Sequence, residues 1–185
     1  LLSPYTTLKA FKDCIYNEQG DFVNQPYQYK TSLSRNEVTV QLSRNGKVKV
    51  KGRYVPVIVK KTVNLKSRSA EIAIDYEVEN LGSKEIEAWF GVEFNISPLA
   101  NYDVDKERYY YLPGECLRKD ELTNIGTSMD VSIVGIRDEW LGLDVSLHFG
   151  RPAILWRFPI ETVSQSEKGF ERNPQSLVLL PSWKI

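Results

Sequence analysis

An antiparallel all-β fold is the expectation for this chain, and three observations lead to it. Apolar residues recur at every second position through most of the 185 residues, which is the period of a half-buried strand. Helical periodicity is confined to one short stretch near the start. Turn-forming residues interrupt the alternation at intervals of strand length. Roughly ten or more strands fit the length, and a sandwich or a barrel is the ordinary way to close that many. With no linker, repeat or composition break, residues 1–185 read as a single domain.

The elements follow in chain order. In TTLKAFKDCIY (6–16), Leu8, Phe11 and Ile15 share a helical face, with Thr6 or Thr7 placed to cap it. EVTVQL (37–42) alternates and runs into Arg44-Asn45-Gly46, a hairpin signal. KVKVKGRYVPVIVKKTVNL (47–65) sets valines between charges, and Pro56 marks it as an edge strand or a bulge. AEIAIDYEVENLGS (70–83) puts Ile72, Ile74, Tyr76 and Val78 on one face and acids on the other, and ends in a turn at Asn80-Leu81-Gly82-Ser83. EIEAWFGVEFNIS (85–97) reads as a further strand. DVSIVGIRDEWLGLDVSLHFG (130–150) reads as two strands about a turn near Asp138-Glu139, and AILWRFPIETV (153–163) and QSLVLLPSW (175–183) complete the set.

Composition narrows the function. The 24 basic and 24 acidic residues cancel, so the chain lacks the one-signed field that nucleic acid or an anionic membrane attracts. Cys14 and Cys116 match no metal or redox spacing and read as free thiols, which fits a cytoplasmic protein better than a secreted one. No apolar run approaches the roughly 20 residues of a membrane span. The chain opens on two leucines rather than Met, as a piece of a longer protein would. Nothing in it calls for a cofactor or a metal: a calcium site through Glu93 and Asn95 lacks a ligand-rich loop.

Polar chemistry is to be found on the strand faces. In 91–97, Val92, Phe94 and Ile96 point to the core, with Glu93 and Asn95 opposite. In 143–149, Leu143, Val145, Leu147 and Phe149 point inward, with Asp144, Ser146 and His148 opposite. In 156–161, Trp156, Phe158 and Ile160 line one side, with Arg157, Pro159 and Glu161 on the other. Alternating polar residues are first of all a solvated face, yet Asn95 and the single His148 are unusual filler for one. The run Tyr109-Tyr110-Tyr111, with Tyr102 nearby and Trp140 at a turn, offers flat faces of the kind that stack on sugar rings, although cross-strand packing is the commoner use. No nucleophile elbow or Cys signature supports catalysis.

EQGDFVNQPY (18–27), WFGVEFNISPLA (89–100), WRFPIETVSQSEKGFER (156–172) and QSLVLLPSW (175–183) resemble the C-terminal all-β domain of glycoside hydrolase family 57, the α-amylases and 4-α-glucanotransferases. The blocks match in order across nearly the whole chain, departing in the loops PLANYDVDKERYY and Asn173-Pro174-Gln175-Ser176. The resemblance implies an antiparallel β-sandwich of the galactose-mutarotase-like supersandwich type. It also implies that the catalytic carboxylates reside in a (β/α)-barrel domain, for which this chain has no alternating strand-helix pattern.

Three functions follow. The first is a non-catalytic accessory domain binding α-glucan or maltooligosaccharide, with Glu93, Asn95, Tyr109, Tyr110, His148, Arg157 and Glu161 as contacts. The second is a domain docking on the barrel through a polar lip at Ser164, Gln165, Ser166 and Glu167. The third, an aldose epimerase-like enzyme, would need His148 paired with Glu161 or Glu93.

Overall fold

The computed structural model describes residues 1–97, 107–113, 115–116, 122–166 and 169–185, with the side chains of 115, 116 and 166 excepted. Tyr102 and Glu167 lie outside the described residues. The chain is all-β, with two antiparallel sheets consistent with a β-sandwich. It divides into two compact units, one of residues 1–6, 16–89 and 184–185, the other of residues 7–15 and 90–183. Among the described residues no helix is long and apolar enough to cross a membrane.

The first unit carries a four-stranded meander, β1 (Gln28–Leu33), β2 (Glu37–Val50), β3 (Arg53–Lys66) and β4 (Ile72–Asn80). The hairpin expected at Arg44-Asn45-Gly46 is not there. β2 runs straight through it, pairing Arg44 with Val59 and Gly46 with Val57. The turn comes at Lys51 and Gly52, whose φ of 47° and 78° suit a two-residue hairpin matched to strand twist. Gly46 serves close packing instead: a Cβ there would meet the Phe22 ring at 2.7 Å, and Asp21 beside it accepts the Lys47 N–H at 2.7 Å.

Pro56 does not make β3 an edge strand. β3 lies between β2 and β4, and β4 pairs only from Val57 onward, so the missing N–H of Pro56 falls beyond the end of that ladder. Leu81 donates to the Pro56 carbonyl there (3.0 Å). In β4, Ile74, Tyr76 and Val78 are half-buried and the acids between them exposed, as the alternation predicts, while Ile72 at the strand's start is exposed. The expected turn after it is an Asx turn, with the Asn80 side chain accepting from the Gly82 N–H (2.9 Å) and donating to the Lys84 carbonyl (2.7 Å).

The second unit opens with the expected helix, α1 (Leu8–Lys12), capped by Thr7, whose hydroxyl accepts the Ala10 N–H at 3.2 Å. Its Phe11 ring lies 6.0 Å from the rings of both Trp156 and Phe158. Ile15, beyond the helix, is exposed.

The seven-stranded sheet orders β5 (Trp89–Gly91), β11 (Gly169–Lys184), β10 (Leu143–Ser166), β9 (Gly126–Asp138), β7 (Arg108–Leu112) and β8 (Glu115–Cys116), with β6 (Phe94–Ile96) also on β11. The strand expected over 85–97 is thus two short pieces. Conversely, 143–149 and 153–163 belong to one 24-residue strand, bent where its register against β9 slips after His148. The core gathers Tyr110, Val131, Val134, Ile136, Leu155, Leu177 and Leu179 on one face. Leu147 and Phe149 pack against that core as expected, while Leu143 and Val145 run out past it and are exposed.

Trp156 and Phe158 are buried, but on the face beneath Phe11. The face shared by Leu155 and its neighbours in the core belongs to Arg157, so the side expected to be a polar lip is interior at that residue. Burial on both faces explains the error: period-2 reasoning assigns one wet side, and residues 155–159 have none.

Candidate functional site

The outer face of β7, β9 and β10 carries the densest polar arrangement among the described residues. Cross-strand pairing places Tyr109, Arg137 and Asp144 in one row, Tyr111, Gly135 and Ser146 in the next, and Ile133 with His148 beyond. Residues in register share a face, and rows on one face lie roughly 7 Å apart along the strands. Gly135 is the reason Tyr111 sits as it does: a Cβ there would collide with the end of the Tyr111 ring, so the ring rests against the strand backbone. Its hydroxyl donates to Asp144 Oδ1 (2.7 Å). Arg137 grips the other oxygen of Asp144 through Nε (3.0 Å) and Nη2 (2.6 Å), and its guanidinium stands 5.5 Å from the Tyr111 ring.

At the tip of the β9–β10 hairpin, Trp140 is 69% exposed. The guanidinium of Arg108 lies 5.6 Å from its ring and is itself buried, held by Asp138 (2.7 Å). Asp138 also accepts the Leu141 N–H (2.9 Å), and Gly142, at φ 63°, closes the turn. Next to the indole, Glu139 receives the Tyr109 hydroxyl (2.9 Å), and its own N–H donates to the Glu107 carbonyl (2.8 Å). The platform is therefore fixed from behind and open in front.

Charge reinforces the arrangement. Burial works to raise the Asp138 pKa, but the Leu141 N–H and the Arg108 guanidinium outweigh it and the carboxyl sits below its ordinary value. At Asp144 burial is likewise overcome, here by the hydrogen bonds from Arg137 and Tyr111. The Tyr111 hydroxyl is pushed up, first by burial and then by its bond to Asp144.

Of the residues expected to meet sugar, this strip brings together Tyr109 and His148. Tyr109 is buried with only its hydroxyl engaged outward, and His148 is exposed, its Nε2 3.0 Å from the Ser146 hydroxyl. Tyr110 points the other way, fully buried in the core, and Arg157 is buried above it. Glu93 and Asn95 lie exposed around β6, bonded to each other (3.0 Å). Glu161 is exposed far along β10 and pairs with Arg172 (3.3 Å).

His148 thus has neither Glu93 nor Glu161 as its partner; thirteen positions along one strand separate it from Glu161, roughly 40 Å at strand rise. The acid–base pair of an epimerase is not assembled. Among the described residues no three metal-binding side chains cluster.

The lip is a two-stranded ribbon, Glu161–Ser166 against Gly169–Pro174, whose described side chains are exposed except for the half-buried Pro174. One face is a polar ladder in which Asn173 donates to the Ser164 hydroxyl (2.9 Å) and Gln175 to the Thr162 hydroxyl (3.0 Å), with Glu171 in register with Ser164. The other face carries Val163, Gln165 and Phe170 beside the Arg172–Glu161 ion pair. Ser166 pairs with Gly169 through its backbone.

A separate open groove of about 530 Å³ crosses the four-stranded sheet over Gln28, Gln41, Ser43, Lys60 and Thr62. No expected residue lines it, and the register sets the rings of Tyr29 and Tyr76 on the opposite face.

Tyr111 and Trp140 were read from the sequence as flat faces and Asp144 as part of a polar strand face, but none of the three, nor Arg137, was among the seven expected contacts. A further legible sign of Tyr111 was Gly135, a glycine inside a strand, which marks close approach by another group.

Residues 1–185 match in full the family model described as alpha-amylase/4-alpha-glucanotransferase, C-terminal. The chain belongs to this family of C-terminal domains. It is 34% identical over 170 residues to a 4-alpha-glucanotransferase of Thermococcus litoralis, covering 92% of this chain and 21% of that protein. It is 28% identical to alpha-amylase 1 of Dictyoglomus thermophilum, covering 89% and 22%. The crystal structure of the Thermococcus litoralis 4-alpha-glucanotransferase superposes with a TM-score of 0.71 at 29% identity, over 100% of this chain and 24% of that one. As a C-terminal amylase/glucanotransferase domain, the chain spans about a fifth of the length of these relatives.

Proposed function

We propose that this domain is a non-catalytic accessory module that binds α-glucan along the strip from Trp140 to Tyr111. The observation that carries the reading is Trp140: an indole exposed on one side and backed by a locked guanidinium on the other has the form of a sugar-stacking platform. Two features support it. Tyr111 supplies a second ring, with the planar Asp144–Arg137 pair beside it to bond ring hydroxyls. The relatives are named for α-glucan transfer and amylase activity, and this chain spans about a fifth of their length.

Titrating maltooligosaccharides while following Trp fluorescence tests the reading. A saturable change is expected at millimolar sugar, weakened about tenfold or more by Trp140→Ala, a loss of roughly 1.4 kcal/mol. No saturable change, or an unchanged affinity in Trp140→Ala, overturns it.

A second reading is favoured by one observation: beside the lip, Val163 and Phe170 are 64% and 78% exposed on the same face of the ribbon. A two-stranded ribbon is marginal on its own in water, and apolar side chains on such an arm suit a docking role against the catalytic barrel. Mixing with a separately expressed barrel is expected to raise the barrel's thermal midpoint, and Phe170→Ser to abolish the rise. Absence of association in the unaltered domain removes the docking role.

A further inference from the structure

We propose that Arg157 is the seat of a small monovalent anion held inside the seven-stranded unit. The residue stands on β10 between Gly126 of β9 and Leu179 of β11, on the face that forms the core. It is 6% exposed. Its Nε and Nη1 are buried and have no hydrogen-bond partner among the described residues. Its companion is the ring of Tyr110, 5.3 Å from the guanidinium carbon.

A buried lysine in this position can release its proton, but a guanidinium does not. The charge must therefore be met, and a ring quadrupole is a weaker answer than an ion. The other buried arginine among the described residues has an acid: Arg108, 8% exposed against 6% for Arg157, holds Asp138. One feature gives an anion access to Arg157. The guanidinium lies directly against Gly126, where a Cβ would fall 2.8 Å from Nη2, and Gly126 opens β9 and is only half-buried, so the Nη2 edge is the one nearest solvent. The apolar side chains of Leu179 and Leu155 nearby favour an ion that sheds its water readily and is small, a halide or a simple carboxylate such as formate. The site stands apart from the glucan strip, which lies on the opposite face, and does not depend on that reading.

Thermal unfolding of the whole chain in sodium bromide, sodium formate and sodium gluconate at one ionic strength tests the proposal. The midpoint is expected to rise saturably by a few degrees with the small anions and not with gluconate, because an ion bound only to the folded state stabilises it by mass action. Response to bromide alone identifies a halide site, and response to formate alone a carboxylate site. Arg157→Met is expected to lose the response and, in gluconate, to be at least as stable as the unaltered chain.

Equal midpoints in all three salts, or an equal response in Arg157→Met, overturns the proposal. Should that variant not fold, crystals of the unaltered chain soaked in bromide decide the matter: an anomalous peak within hydrogen-bond distance of the guanidinium upholds the site, and its absence sinks it.

Discussion

Arg108 and Asp138 show how a single pair can hold an exposed ring in place. Both are buried, 2.7 Å apart, and together they back the Trp140 indole and close the hairpin through the Leu141 N–H. Removing one partner leaves the other charge stranded, so Asp138→Asn is expected to lower stability by about 3–5 kcal/mol. The pH dependence has a definite sign. The folded-state pKa of Asp138 lies below its ordinary value, so its contribution is present above the unfolded value of about 3.9 and is lost as pH falls through the folded one. Chemical denaturation across pH is the measurement: the gap between the unaltered chain and Asp138→Asn should be full at neutral pH and narrow below about pH 4. At this scale the sequence was a mixed guide. It named Tyr109, Tyr110, His148 and Arg157 as polar or aromatic candidates, but a residue's type does not say which face it occupies. Tyr110 and Arg157 are interior, while Tyr111, one position along, is the ring on the outer face.

Strands and turns were read more reliably, because their cause is local. Alternation in β4, the Thr7 cap, the Asx turn after Asn80 and the β9–β10 turn near Asp138 all appear where the pattern placed them. The failures share one origin. Arg44-Asn45-Gly46 carries turn chemistry, yet Gly46 is required by the approach of Phe22, a residue distant in sequence. Pro56 reads as an edge marker, yet only the end of β4 decides that its missing N–H is harmless. Gly135 in β9 is the same kind of residue. Gly135→Ala is expected to force Tyr111 off the strand and to lower stability by about 1–3 kcal/mol, as overpacking does. It should also cut the affinity for maltooligosaccharide. Calorimetric unfolding together with the sugar titration checks this, and unchanged values in both would mean the ring has no fixed seat there.

On the scale of the whole molecule, two surfaces carry the two proposed roles, the Trp140–Tyr111 strip of the larger sheet and the Val163–Phe170 face of the 161–174 ribbon. They make different demands on a larger enzyme, one facing substrate and the other facing protein, and the sugar titration and the mixing experiment separate them.

The order of apolar and polar residues is enough to set the all-β class, most strand limits and membership in a family of C-terminal amylase/glucanotransferase domains, since backbone period and local turn chemistry act within a few residues. Which residues form a site is another matter. Tyr111 meets Asp144, Trp140 lies over Arg108, and Arg157 is carried inward above Tyr110 because β7, β9, β10 and β11 pair across long stretches of chain. A strand's own alternation records two faces but not what covers each of them, and that is settled only when the neighbouring strands arrive.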